Sequence, residues 1–248
     1  MEFDSVKALF VAWQNPKNRS WAPVGRLTYD DGLFRFVYTR GAKDMGDSFQ
    51  PFGAMKDLNS SYISEKLFPL FANRVLSKSR PEYEQYLKWL GMSENAYDVM
   101  DELSRTGGFR ATDSLELFPC PEPTAQNQYV VYFFSRGIRH ILPENRERVN
   151  KLEKGQSLFL MCDIQNKYDP HALVLRTDDP VTLVGYAPRY YSGEFSSIVN
   201  EVSPENIEVT AERVNKDAPL QYRLLCKMSS PWPTSFQPCV HDQFEVLA

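Results

Sequence analysis

Three histidines, four cysteines and the carboxylate pair Asp178-Asp179 are the residues first weighed here for acid–base, nucleophilic or metal chemistry. Any of His140, His171 and His241 could serve as a base, but none has a nucleophile beside it in a recognisable context. Cys120, Cys162, Cys226 and Cys239 form no Cys-x-x-Cys pair, so four separate thiols are expected rather than a disulfide framework. Cys239 and His241 could begin a metal site, yet no second pair follows, and no metal is expected. Asp178-Asp179 would suit a cation, but Asp-Asp-Pro between two apolar runs is expected to be a solvated turn. The chain carries no GxxxxGK[ST], no GxGxxG after a strand, no GxSxG, no HExxH and no kinase motif set. A binding protein with no cofactor is therefore expected, rather than an enzyme.

The run from 166 to 175, NKYDPHALVL, reads locally as a turn. Asn166 and Asp169 bracket it, Tyr168 can pack on a neighbouring surface, and Asp169 can cap backbone N–H groups. What must position it is a chain of 248 residues with 42% hydrophobic and 13% aromatic content, enough for a true core. At ~100–200 residues per domain, one large domain or two modest ones are expected. The net charge of −4 excludes a surface coated in basic charge, though not a local basic patch. No apolar run approaches the ~20 residues of a membrane span, and the first residues lack the pattern of a signal peptide. A cytoplasmic protein without membrane contact is expected.

The first half opens on the strand signal LFVAWQ and then a hairpin turning at Asp31-Gly32, where glycine tolerates the positive φ of a tight turn. Phe34, Phe36 and Tyr38 alternate onto one face of the second arm. Three helical stretches are expected: KLFPLFANRVL with Pro69 in its first turn, PEYEQYLKWLGM ending at Gly91, and a helix capped by Ser93 that ends at Gly107-Gly108. Pro119, Pro121 and Pro123 rule out helix and mark a connection, although SLELF could still pair with the first sheet.

The second half is β-rich. YVVYFFSRGIR, QSLFLMCDIQ, HALVLRT, VTLVGYAP, NIEVTAERVN and LQYRLLCKM read as strands, with short helices at PENRERVNKLEKG and YYSGEFSSIVNEV. An irregular tail follows, pinned by Trp232 and Phe236. The expected divisions are a domain over 1–112, a proline-rich connection over 113–128, a second domain over 129–228 and a tail over 229–248, in the α+β class.

Within 129–228, four pieces occur in order: Gly137-Ile138-Arg139, the strand from Gly155 to Phe159, Asn166-x-Tyr168-Asp169 leading to Ala172-Leu173, and Val184-Gly185-Tyr186-x-Pro188. Together they resemble a HIRAN domain. The resemblance implies an OB-like β-barrel, of a kind known in eukaryotic remodelling ATPases as a reader of single-stranded DNA 3′ ends. By that likeness Asp169 accepts from the 3′-hydroxyl, Tyr168 stacks on the terminal base, and Asn166 holds the turn or contacts the end group. Arg139 and Arg189 meet phosphates, and Tyr186 sits near the site. The DNA-reading members carry two aromatics after the Gly-x-Arg turn; here those positions are His140 and Ile141. Histidine stacks less strongly and isoleucine does not stack, so at ~1–3 kcal/mol per stacked base one lost platform weakens binding about tenfold. Residues 128–228 carry 13 Lys and Arg against 13 Asp and Glu, while 136–154 carry six against three. The local excess of +3 suits a short strand rather than a long tract.

The first half, over about 6–92, is similar to the N-terminal subdomain of HipA-type toxin kinases. Leu67, Phe68, Pro69, Phe71 and Asn73 carry the likeness. That subdomain is not the kinase and in some systems is a separate restraining protein, so the resemblance implies a protein-binding module. A plain αβ scaffold with Phe68 and Phe71 in its core accounts for the same residues. The two resemblances together imply a bacterial, non-catalytic adaptor. It would bind a nucleic-acid end and dock a partner such as a kinase, nuclease or helicase. The alternative is a toxin-restraining regulatory subunit that never touches DNA.

Overall fold

The computed structural model describes residues 8–110, 112–167, 169 and 171–248. The chain divides into two compact units. The first takes the chain up to Tyr83, then Asn95–Cys120 and Gln237–Ala248; the second takes Glu84–Glu94 and Pro121–Phe236. These bounds differ from the expected divisions at three points. A helix from the first half goes with the second unit, 115–119 is a strand of the first, and the tail is split at Phe236.

The first unit is built on an antiparallel sheet of five strands: β1 (Ala8–Gln14), β2 (Trp21–Asp30), β3 (Leu33–Tyr38), β4 (Tyr62–Ser64) and β5 (Leu115–Pro119). Their order is β4-β3-β2-β1-β5. Asp30 pairs with Leu33, leaving a two-residue turn in which Asp31 and Gly32 both have positive φ. This is the primed turn that follows the right-handed twist of the arms. Phe34, Phe36 and Tyr38 enter the core as the alternation predicts. Tyr38 is held at both ends: its hydroxyl accepts from the Phe52 N–H at 2.6 Å and donates to the Met55 carbonyl at 2.7 Å.

The helices of the first half are α1 (Arg40–Asp44), α2 (Pro69–Ala72), α3 (Tyr83–Leu90) and α4 (Val99–Thr106). Helix α2 is one turn long, much shorter than its apolar spacing predicts. Past Asn73, the Arg74 guanidinium bonds the Gly108 carbonyl and pairs with Asp113 at 2.6 Å, so the chain turns away to meet it. Phe71 is fully buried 5.7 Å from the Phe36 ring, with Phe68 packed beside it. Helix α4 starts at Asp98 rather than Ser93, because the Asp98 carboxylate accepts from the N–H groups of Met100 and Asp101. Residues 237–248 complete this unit: Phe244 meets the Phe10 ring edge-on at 4.8 Å, and Leu247 donates to the Tyr38 carbonyl.

The second unit is a curled antiparallel sheet of β6 (Gln128–Phe134), β7 (Ser157–Cys162), β8 (Leu173–Arg176), β9 (Leu183–Tyr186), β10 (Glu208–Val214) and β11 (Leu224–Pro231). Helices α5 (Pro143–Asn150) and α6 (Arg189–Glu201) accompany it. The order is β6-β11-β10-β7-β8-β9, and β7 changes partner midway, from β10 at Ser157–Leu158 to β8 from Phe159 onward. The two edges meet at one bridge, where Arg136 and Tyr186 exchange backbone hydrogen bonds of 2.8 and 2.9 Å. The closure is thus a seam, not a full ladder. Strand β11 runs on to Pro231, past the expected domain end, and Trp232 and Phe236 pack on Tyr129 behind it. Residues from α3 pack within the same unit: Tyr86 and Trp89 flank Tyr222, and Asn215 donates to the Trp89 carbonyl.

Candidate nucleic-acid interface

The seam builds the first part of the site. After β6, Ser135 donates its hydroxyl to the Val184 carbonyl and Arg136 bridges to Tyr186. Gly137 then adopts φ 71°, and a single 3₁₀ turn runs over Ile138–His140. A side chain at Gly137 would press on the Tyr186 ring, 3.1 Å away. Ile138 and Ile141 are both in the core, which leaves Arg139 and His140 facing solvent. The Arg139 Nε donates to His140 Nε2 at 2.9 Å, so the two form one exposed cationic and aromatic pair. Arg146 of α5 fixes the turn from behind by donating to the carbonyls of Arg139 and Ile141. Ile141 therefore does not line the surface at all; it anchors the turn.

The second part is the β7–β8 loop. Asn166 lies between two aspartates: its Nδ2 donates to Asp163 Oδ2 at 3.0 Å, and its Oδ1 accepts from the Asp169 N–H at 3.1 Å. Tyr186 donates its hydroxyl to the same Asp163 oxygen at 3.1 Å. Partial burial raises the Tyr186 pKa, and the bond to Asp163 and its charge add to that. Asp169 accepts from the His171 N–H through Oδ1. Through Oδ2 it meets the Ser192 hydroxyl at 3.3 Å and the Arg189 Nε at 3.8 Å. Both Arg189 and Ser192 lie in the first turn of α6, behind Pro188. Tyr168 lies outside the described residues.

Asn166, Asp169, Tyr186 and Arg189 are thus joined in one network, with Arg139 and His140 following the Gly137 that backs the Tyr186 ring. Sequence reasoning missed Asp163, Ser192 and Arg146. Asp163 had a signal, since Asp163, Asn166 and Asp169 recur at intervals of three, a spacing suited to nested side-chain turns. Chemically the corner offers cations, an acceptor carboxylate with remaining lone pairs, and a ring. Among the described residues no three His, Cys, Asp or Glu converge as a metal set, and the four cysteines are free. A polar cleft of about 240 Å³ elsewhere in the unit is lined by Glu205 and Glu208 and by no cation, so it does not suit phosphate.

Residues 128–232 match the family model described as HIRAN domain, slightly wider than the expected 129–228. No curated protein matches the chain. Two solved structures are similar to parts of it. One is a structural-genomics protein from Lactobacillus plantarum, at 15% identity over 42% of this chain and 96% of that one, with TM-score 0.31. The other is the HIRAN domain of human HLTF, at 14% identity over 43% of this chain and 80% of that one, also with TM-score 0.31. No helix among the described residues is long and apolar enough to cross a membrane.

Proposed function

We propose that the HIRAN unit binds a nucleic-acid end, a single-stranded DNA 3′ end, and that the chain is a non-catalytic adaptor. The observation that carries this reading is the corner at the seam. There an exposed Arg139–His140 pair stands beside the network holding Asn166, Asp169, Tyr186 and Arg189. A HIRAN match over the same residues supports it, since that family is associated with nucleic-acid binding. The curled sheet acts as an OB-like platform, the cations take phosphates, and His140 and Tyr168 supply ring faces. The first unit, by its likeness to a HipA N-terminal subdomain, docks a protein partner such as a kinase, nuclease or helicase, in a bacterial cytoplasm.

Fluorescence anisotropy at low salt, comparing a short single strand ending in a 3′-hydroxyl with one blocked by 3′-phosphate, tests the end reading. Preference for the hydroxyl is expected, and equal binding of the two strands refutes end recognition. A second reading has one observation in its favour: both Asp169 oxygens already serve donors of the protein. On that reading the barrel is a scaffold and the chain a regulatory subunit. It predicts a stable protein complex through the first unit and no DNA binding.

A further inference from the structure

The outer face of β7 and β8 carries an aromatic ring and a cation that the corner does not use. Along β7, Leu158 is buried while Ser157, Phe159 and Met161 are exposed, so the odd-numbered positions face outward. Phe159 is 39% and Met161 43% exposed. The register continues this face across the sheet. Phe159 lies opposite Arg176, Met161 opposite Val174, and Val174 in turn opposite Tyr186. One side of the sheet thus holds Phe159, Met161, Arg176 and Tyr186, the last being the ring already placed in the corner, with the buried Val174 between Met161 and Tyr186. The Arg176 guanidinium sits 4.8 Å from the centroid of the Phe159 ring. It is fixed there by a 2.9 Å hydrogen bond to the Thr177 carbonyl, with Asp178 at 3.8 Å.

Single exposed apolar side chains are ordinary on protein surfaces and call for no explanation. A phenyl ring with a guanidinium held over it is a different object. Both present π-faces that any base can stack on, and the guanidinium places positive charge where a backbone phosphate follows the base. We propose that Phe159 and Arg176 form a second stacking station for the single strand whose end sits at the corner, a proposal that rests on the end-binding reading. From Tyr186 the station is one two-residue step along the strands and two strand spacings across. At ~3.4 Å per residue and ~4.8 Å per strand this is roughly 12 Å. For a strand whose bases stay stacked at the ~3.4 Å duplex rise, that distance corresponds to three or four nucleotides.

The test uses the whole chain and 3′-hydroxyl oligonucleotides of two to eight nucleotides. Affinity is expected to rise from the dinucleotide to about the pentanucleotide and then level off. Phe159→Ala is expected to weaken the pentanucleotide at least fivefold while leaving the dinucleotide and the preference over 3′-phosphate unchanged. Phe159→Tyr keeps the ring and is expected to keep the affinity, and Arg176→Gln to lose part of it. A 2-aminopurine placed fourth from the end reports the stacking directly, with quenching expected on the native protein and not on Phe159→Ala. If Phe159→Ala binds every length like the native chain and remains end-selective, the station is refuted and the end-binding reading stands. If the native chain binds no oligonucleotide, both fall together.

Discussion

At Tyr186 one side chain ties three segments: its backbone closes the seam with Arg136, its ring backs Gly137, and its hydroxyl serves Asp163. Tyr186→Phe keeps the first two and removes the third. A loss of about 0.5–1.5 kcal/mol in urea unfolding is expected, and an unchanged midpoint would show that the hydroxyl does not hold the loop. Tyr38 makes a sharper case, because it is fully buried and its pKa is pushed up to about 12 by desolvation, against a bond from Phe52 that lowers it. A tyrosine with a raised folded pKa stabilises below its unfolded value near 10 and loses that contribution as pH climbs to the folded value. The gap from 10 to about 12 is worth roughly 2–3 kcal/mol, so stability is expected to fall between pH 10 and 12. In Tyr38→Phe that fall should be visibly shallower, as followed by circular dichroism, although the variant starts less stable because Phe52 N–H and Met55 C=O lose their partner. What the sequence reveals at this scale is whatever is local. Asn166 and Asp169 are readable as turn formers because their bonds reach two or three residues. Asp163 and Ser192 act on partners 23 residues away, and no local pattern exposes that.

Elements follow the same rule, with strands the most legible. The hairpin at Asp31-Gly32 and the alternation of Phe34, Phe36 and Tyr38 are local properties, and each strand expected in the second half is present. Helix starts are less legible, since several cap residues compete. Ser93 and Asp98 both precede apolar positions, and the carboxylate at 98 takes the two free N–H groups. Asp98→Ala is therefore expected to cost about 1 kcal/mol and Ser93→Ala less than ~0.5, a comparison that denaturant unfolding decides. The seam is the element feature that no periodicity announces. Gly185 has φ 127°, and a Cβ there would stand 2.0 Å from the Ser135 hydroxyl and 2.7 Å from the Arg136 carbonyl. Gly185→Ala must push β9 from the end of β6 and is expected to cost about 1–3 kcal/mol or more. Hydrogen exchange should locate the damage at Arg136 and Tyr186; protected amides there in the variant would contradict the close approach.

At the scale of the whole chain, charge decides how the proposed interface can work. The molecule carries −4 overall, and residues 136–154 carry an excess of three positive charges. A protein of this balance cannot hold a long nucleic acid by its general field; it must use a few placed cations. Arg139 is exposed, whereas Arg189 is partly engaged by Asp169 and Arg146 is spent on backbone carbonyls. Composition had shown the excess, but only the fold shows that Arg139 and, from α6, Arg189 are the cations set at the corner. One or two phosphate contacts at the corner follow from that count. For single strands each contact contributes about −0.7 to the slope of log K against log salt, so a slope of about −0.7 to −1.4 is expected for a dinucleotide. Arg139→Glu should flatten it by about 0.7 while circular dichroism stays native, because among the described residues the side chain bonds only its solvent-facing neighbour His140. A slope steeper than about −4 on the native protein would mean that the strand lies on a different and more basic surface. An unchanged slope in Arg139→Glu would remove the seam corner as the place where phosphate is met.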